Sequence, residues 1–289
     1  MTGLVAGAWT RCRVFVSMLM VAFAVSACAS SGGSIDDAIT SVAPTPAKYA
    51  AIVVDAKSGK MLYGANVNEL RYPASLTKMM TLYLMFEALD RGSISRDTLI
   101  PISRNAARRP PSKLGLKAGQ SIPVDTAIRV LVVKSANDVA TAVAEFLGGG
   151  SEARFAEMMT AKARSLGMNR TTFKNASGLP DSGQVTTATD MARLSIALRR
   201  TFPHYYGYFR QTEVTVAGRT IKGHNKALQT IPGADGLKTG YTRASGFNLA
   251  TSVRRQGKSI VGVVMGEDKA RIRDARMAQL MAAYLKKAK

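Results

Sequence analysis

The chain has 289 residues, room for one large domain or two small ones, and its 46% hydrophobic and 20% charged content is that of a globular protein with an ample core. A formal net charge of +21 suits anionic partners: nucleic acid, acidic lipid or a polyanionic wall. The only cysteines, Cys12 and Cys28, stand near the N-terminus, so the rest of the chain holds no disulfide, thiolate metal site or thiol nucleophile.

Arg11 and Arg13 precede an apolar run over residues 14–25 that ends in Ser26-Ala27-Cys28-Ala29. A positive start, a short apolar stretch and a small-residue cut site make residues 1–28 an export signal. The run is short of the roughly 20 residues that a membrane-spanning helix needs. Export removes nucleic acid from the partner classes and leaves an anionic membrane or wall surface. Two processing readings fit. Val25-Ser26-Ala27-Cys28 resembles a bacterial lipobox, with Cys28 lipidated, and Ala27-Cys28-Ala29 also reads as an ordinary cleavage site. The lipobox is favoured because a chain whose folded part is cysteine-free places one there. Residues 29–47, with Ser30-Ser-Gly-Gly-Ser34 and Ala43-Pro-Thr-Pro-Ala47, read as a flexible linker. Residues 48–289 are then a single folded domain.

Within that domain residues 49–55 (YAAIVVD) predict a buried strand, and a turn leads to a second strand over 60–64. Apolar spacing predicts helices over 75–89, 124–133, 138–147, 152–166 and 190–199, with Gly92, Gly148 and Gly167 closing three of them. From Gln211 the pattern alternates, predicting strands over 213–216, 236–239, 246–253 and 259–265, before a last helix over 271–285. Strands at both ends with helices between them predict an α+β fold: one antiparallel sheet shared by the two ends, flanked by helices, and a mostly helical lobe.

Three short strings carry chemistry. In Ser75-Leu-Thr-Lys78 the helical spacing of about 4.5 Å rise brings hydroxyl and amine together. A lysine serves as base only when burial or a nearby cation lowers its pKa, and Lys238 is a candidate for that cation. Ser135-Ala-Asn137, between two helices, offers a hydroxyl to relay a proton and an amide to grip a peptide bond. Lys238-Thr239-Gly240 sets a cation beside a hydroxyl on a sheet edge. There Gly240 admits a substrate strand, and the next backbone N–H completes an oxyanion hole. Each string alone also reads as a cap, a surface lysine or a strand end; together they are the parts of penicillin-recognising serine acyl-transfer enzymes. His204 and His224 read as structural or surface residues, with no H-E-x-x-H, G-x-S-x-G, P-loop or EF-hand pattern beside them.

With Tyr72-Pro-Ala-Ser-Leu-Thr-Lys78, Asn175-Ala-Ser-Gly-Leu179, Gly236-Leu-Lys-Thr-Gly-Tyr-Thr242 and Gly246-Phe-Asn-Leu249, the chain resembles the low-molecular-weight penicillin-binding proteins, serine D-Ala-D-Ala carboxypeptidases of the S11 type, from about residue 49 to 285. The resemblance implies a β-lactamase/DD-peptidase-like fold and a peptidoglycan stem peptide as substrate, with β-lactams as inhibitors and no cofactor. It also implies Ser75 as nucleophile, Lys78 as base, an oxyanion hole from the N–H groups of Ser75 and Tyr241, Ser135 as proton relay and Asn137 as substrate-orienting amide. Lys238, Thr239 and, by position, Arg273 would hold the terminal carboxylate. Many relatives have Ser-Gly-Asn where this chain has Ser-Ala-Asn, and no C-terminal β-domain is expected here. A class A β-lactamase is the alternative within the fold, but no Glu-x-x-Leu-Asn string lies between Asn137 and Lys238. A DD-endopeptidase and a non-catalytic wall-binding protein are the others.

Overall fold

A strand apolar at every position needs cover on both faces, and the first predicted strand receives it. The computed structural model describes residues 45–289; the expected export signal, Cys28 and most of the linker lie outside the described residues. In β1 (Ala50–Asp55) every residue is buried. Ala50, Ile52 and Val54 face the main core, while Ala51 and Val53 face a second cluster, the period-two alternation of a pleated strand. β2 (Met61–Ala65) pairs with β1 along one edge.

The central helix, α1 (Lys78–Asp90), is buried continuously from Lys78 to Phe86. Around it stand β3 (Leu99–Pro101), the single turn α2 (Arg104–Ala107), β4 (Ser121–Pro123), α3 (Val124–Val133), α4 (Asn137–Leu147), α5 (Glu152–Ser165) and α6 (Ala188–Thr201). Ser151 and Thr187 cap α5 and α6 by accepting from the N–H groups of Arg154 and Asp190. The Thr187 cap starts α6 two residues before its expected position. The hairpin β5 (Glu213–Val216) and β6 (Arg219–Lys222) follows, then the short α7 (Ala227–Thr230). Strands β3, β4 and β6 were not expected: two are three residues long, and Arg219-Thr-Ile-Lys222 lacks an apolar face.

β7 (Ala234–Thr242), β8 (Gly246–Arg255), β9 (Lys258–Glu267) and α8 (Ala270–Leu285) complete the chain. The five-stranded sheet has the order β2-β1-β9-β8-β7 and is antiparallel throughout. Both chain ends therefore share one sheet, as expected. Met277, Leu280 and Met281 of α8 pack with Ala51, Val53, Leu249 and Val264 on one face. The helical lobe covers the other, and β7 is left at the edge facing it.

Candidate active site

Ser75 does not sit in an α-helix. Residues Ala74–Thr77 form a 3-10 turn, and α1 begins only at Lys78. Ala74 enters it with φ 48°, a left-handed conformation uncommon for a residue with a Cβ. The expected helix over 75–89 is thus corrected at its first turn, to chemical effect. In a 3-10 turn residues i and i+3 eclipse, which stacks Lys78 over Ser75. Lys78 Nζ donates to Ser75 Oγ at 3.2 Å and to Asn137 Oδ1 at 2.8 Å, and it also donates to the Ser177 carbonyl.

Lys78 has no solvent exposure. Its pKa lies well below the ordinary lysine value, through burial first and the charge of Lys238 second, with Asp138 and Glu152 opposing. Lys238 is therefore a contributing cation and burial the larger cause. The result is an amine able to stand neutral beside a serine hydroxyl, as a general base requires.

Ser135 follows the end of α3 with φ 61°, where glycine is the usual residue. Strain of this kind at a hydroxyl-bearing residue accompanies function. Its buried Oγ has no hydrogen-bond partner among the described residues. Asn137 opens α4; its N–H donates to the Ser112 carbonyl at 2.7 Å and its Nδ2 to the Pro110 carbonyl at 2.9 Å. Asp138 accepts from the N–H groups of Leu114 and Gly115 at 2.9 and 2.8 Å, fixing the same loop.

The third string lies on β7. Lys238 is 2% exposed, and its pKa is lowered to about 7 by burial first and then by Arg273. A Cβ on Gly240 would lie 3.0 Å from the backbone N of Ser75. Gly240 thus admits the turn that carries Ser75. The contact sets the edge of β7 beside Ser75, with the Tyr241 side chain exposed and stacked on Phe247 at 4.2 Å between ring centres. Asn248 fixes the arrangement: its Nδ2 donates to the Tyr72 and Pro73 carbonyls at 3.0 and 3.1 Å, and its Oδ1 accepts from the Gly266 N–H at 2.9 Å.

Of the three basic residues that could reach this edge, Lys269 and Arg271 are exposed and Arg273 is buried. Arg273 donates to Asp274 through Nε and Nη2 at 2.9 and 2.6 Å, and to the Asn248 carbonyl at 3.3 Å. A cleft of about 690 Å³ joins the parts, lined by Ser75, Ser135, Asn137, Thr239, Tyr241 and Arg273, with Lys78 and Lys238 buried behind its wall. All eight expected catalytic and binding residues of the folded domain therefore meet in one place; Cys28 lies outside the described residues.

Three contributors went unread in the sequence. The Ser177 carbonyl holds Lys78, and its string, Asn175-Ala-Ser-Gly-Leu179, was visible without a role. The Pro110–Ser112 carbonyls hold Asn137 and bear no side-chain signature. His224, expected to be structural or on the surface, lines the cleft, whereas His204 pairs with Asp90 at 2.9 Å and is not among the cleft's lining residues.

Comparison with known proteins places these observations among relatives. Residues 37–269 match the family model described as D-alanyl-D-alanine carboxypeptidase. The chain is 31% identical over 272 residues to D-alanyl-D-alanine carboxypeptidase DacF of Bacillus subtilis, covering 93% of this chain and 68% of that one. It is 35% identical over 237 residues to D-alanyl-D-alanine carboxypeptidase DacD of Escherichia coli, covering 80% of this chain but 61% of that enzyme's length. The crystal structure of penicillin-binding protein D2 from Listeria monocytogenes in its ampicillin-bound form superposes with a TM-score of 0.74 at 32% identity, covering 81% of this chain and 95% of that one.

Proposed function

Since the chain belongs to the D-alanyl-D-alanine carboxypeptidase family of serine peptidases, we propose that it hydrolyses the terminal D-Ala-D-Ala bond of peptidoglycan stem peptides through a serine acyl-enzyme. The observation that carries this reading is the Ser75 hydroxyl 3.2 Å from a fully buried, pKa-lowered Lys78 at the wall of the cleft. Lys78 takes the Ser75 proton as Oγ attacks the carbonyl between the two D-alanines. The N–H groups of Ser75 and Tyr241 receive the oxyanion. Ser135, whose hydroxyl has no other partner among the described residues, passes the proton to the departing amine. Lys238, Thr239 and Arg273 hold the terminal carboxylate, and Asn137 orients the peptide. Water then attacks the acyl carbon and restores Ser75 with one proton to spare for the new carboxylic acid. The chemistry needs no cofactor.

Release of free D-alanine from a pentapeptide by the wild type, abolished in Ser75→Ala, is the test; continued release in that variant would sink the mechanism. β-lactams are read as acylating the same serine. With no Glu-x-x-Leu-Asn carboxylate to activate water, a labelled penicillin adduct should persist, whereas rapid turnover would support the β-lactamase alternative. Residues 1–28 and Cys28 support export to the periplasm and N-terminal lipid anchoring. Among the described residues no helix is long and apolar enough to cross a membrane.

Two further results are expected. The pH profile of kcat/KM, which reports the free enzyme, should be bell-shaped. Below its lowered pKa Lys78 is protonated and cannot accept the serine proton, so the rate falls with acid. Above about 7 Lys238 loses its charge and its hold on a carboxylate, so the rate falls again with base. A profile still rising steadily above pH 9 would contradict the assignment of Lys238. In the second, Arg273→Ala should lower kcat/KM on a free-carboxylate peptide about ten- to a hundredfold, the worth of a charge-assisted hydrogen bond. Arg271→Ala, on the exposed side, should change it less than about twofold.

A further inference from the structure

His224 stands on the segment between β6 and α7 and lines the same cleft as Ser75, Thr239 and Arg273, with its side chain exposed. Charged groups surround it from each neighbouring element. Lys238 of β7 and Lys134 at the end of α3 act on its charge directly. Lys226 lines the cleft on its own segment, and Arg273 lines it from α8. Lys222 and the lone acid Glu213 line an adjoining cavity of about 380 Å³ that His224 and Lys226 also border. The residues lining the cleft itself include no carboxylate. The cleft is thus a cationic pocket with one member able to change its charge near neutral pH.

In the absence of an anion, partial burial of the ring first and the charges of Lys238 and Lys134 second hold His224 below its ordinary pKa, which favours the neutral imidazole. An entering carboxylate offsets the two lysine charges and supplies a charge-assisted acceptor, both of which favour imidazolium. We propose that His224 is a binding residue for the anionic end of the substrate, taking up one proton from solvent as an anionic peptide enters the cleft and donating it as an N–H hydrogen bond to a carboxylate oxygen. The inference rests on the carboxypeptidase reading for the identity of the anion. It gives the enzyme a binding contact that strengthens as the medium acidifies, opposite in sign to the acid loss of Lys78 activity.

With only two histidines in the chain, the test is direct. Full-length Ser75→Ala protein binds without turnover, and its imidazole resonances are assigned by adding His204→Gln or His224→Gln. Saturation with an N-acyl-D-alanyl-D-alanine peptide should raise the His224 titration midpoint by about one pH unit or more, leave His204 in place, and fail to do so when the peptide ends in an amide. In the catalytically intact chain the KM penalty of His224→Gln should grow about tenfold between pH 8 and pH 5 while kcat keeps a constant ratio to wild type. A His224 midpoint unmoved by the peptide, or a KM ratio flat across that range, overturns the proposal. If wild-type protein releases D-alanine but His224 does not respond, this inference alone falls; if no D-alanine is released, the carboxypeptidase reading falls with it.

Discussion

Replacing Lys78 with arginine should slow acylation by labelled penicillin by about a hundred- to ten-thousandfold, the range lost with a positioned general base. Arginine keeps the donors but stays charged in a protein, so it cannot accept the serine proton. It therefore separates base catalysis, which needs the neutral amine, from any role a permanent cation could fill. Because the site has no solvent exposure, the larger guanidinium can displace its neighbours, so Lys78→Met is the companion. Methionine leaves Asn137 Oδ1 and the Ser177 carbonyl without their lysine donor, at about 1–3 kcal/mol for each buried acceptor. Against this it removes the desolvation cost of the buried amine. Thermal melts of both variants should show a folded protein, and rates within tenfold of wild type in both would eliminate Lys78 as the base.

Gly178→Ala should cost about 3 kcal/mol of stability and remove most of the acylation rate. A Cβ there would lie 1.9 Å from the Ala74 carbonyl oxygen and 2.9 Å from Ser75 N, at a backbone φ of +84°. Overpacking costs about 1–3 kcal/mol and the left-handed conformation about 1–2 kcal/mol. The obstruction is backbone, which cannot rotate aside, so the 175–179 segment must withdraw and carry the Ser177 carbonyl away from Lys78. A melting temperature about 6–12 °C lower is the expected readout for a domain of this size. Gly150→Ala is the control, since Gly150 has φ +91° and nothing within 4 Å of its would-be Cβ. It should lose only the conformational cost and keep full acylation. Equal effects at the two positions would show that contact with the Ser75 turn is not what matters.

The proposed catalytic side chains were legible because such chemistry demands particular residue types at short spacing. Ser75 and Lys78, Ser135 and Asn137, and Lys238 and Thr239 are local pairs, and the resemblance supplied how they converge. Sheet strands were legible for a related reason: β1 and β9 are buried on both faces and almost uninterruptedly apolar. The groups that failed to show act through backbone atoms or through tertiary approach. A carbonyl such as that of Ser177 or Pro110 exists in every residue, so no side chain announces its use. The 3-10 turn at Ser75 was hidden because its sequence satisfies an α-helical pattern equally well, and packing against Gly240 and Gly178 surrounds that backbone. That the exposed His224 borders the cleft was not legible because the sequence gives no sign that the polar β5–β6 hairpin leads back to it. Arg273 needed the opposite information, namely which of three neighbouring basic residues the helix turns inward, and burial supplies it.

The pairing of β1 with β9, from Ala50 opposite Met265 to Asp55 opposite Ile260, also dictates when the molecule can become itself. During synthesis the first strand emerges with only β2 beside it, and an isolated hairpin is marginal in water. Its second neighbour is made some two hundred residues later, and loop-closure entropy opposes the meeting until then. No amino-terminal fragment lacking β9 contains the central ladder of the sheet, so cooperative locking waits for nearly the last element of the chain. A polypeptide with this timing stays pliable for most of its manufacture, and the β7 edge takes its place beside Ser75 only after the strands from both ends of the sheet have been made.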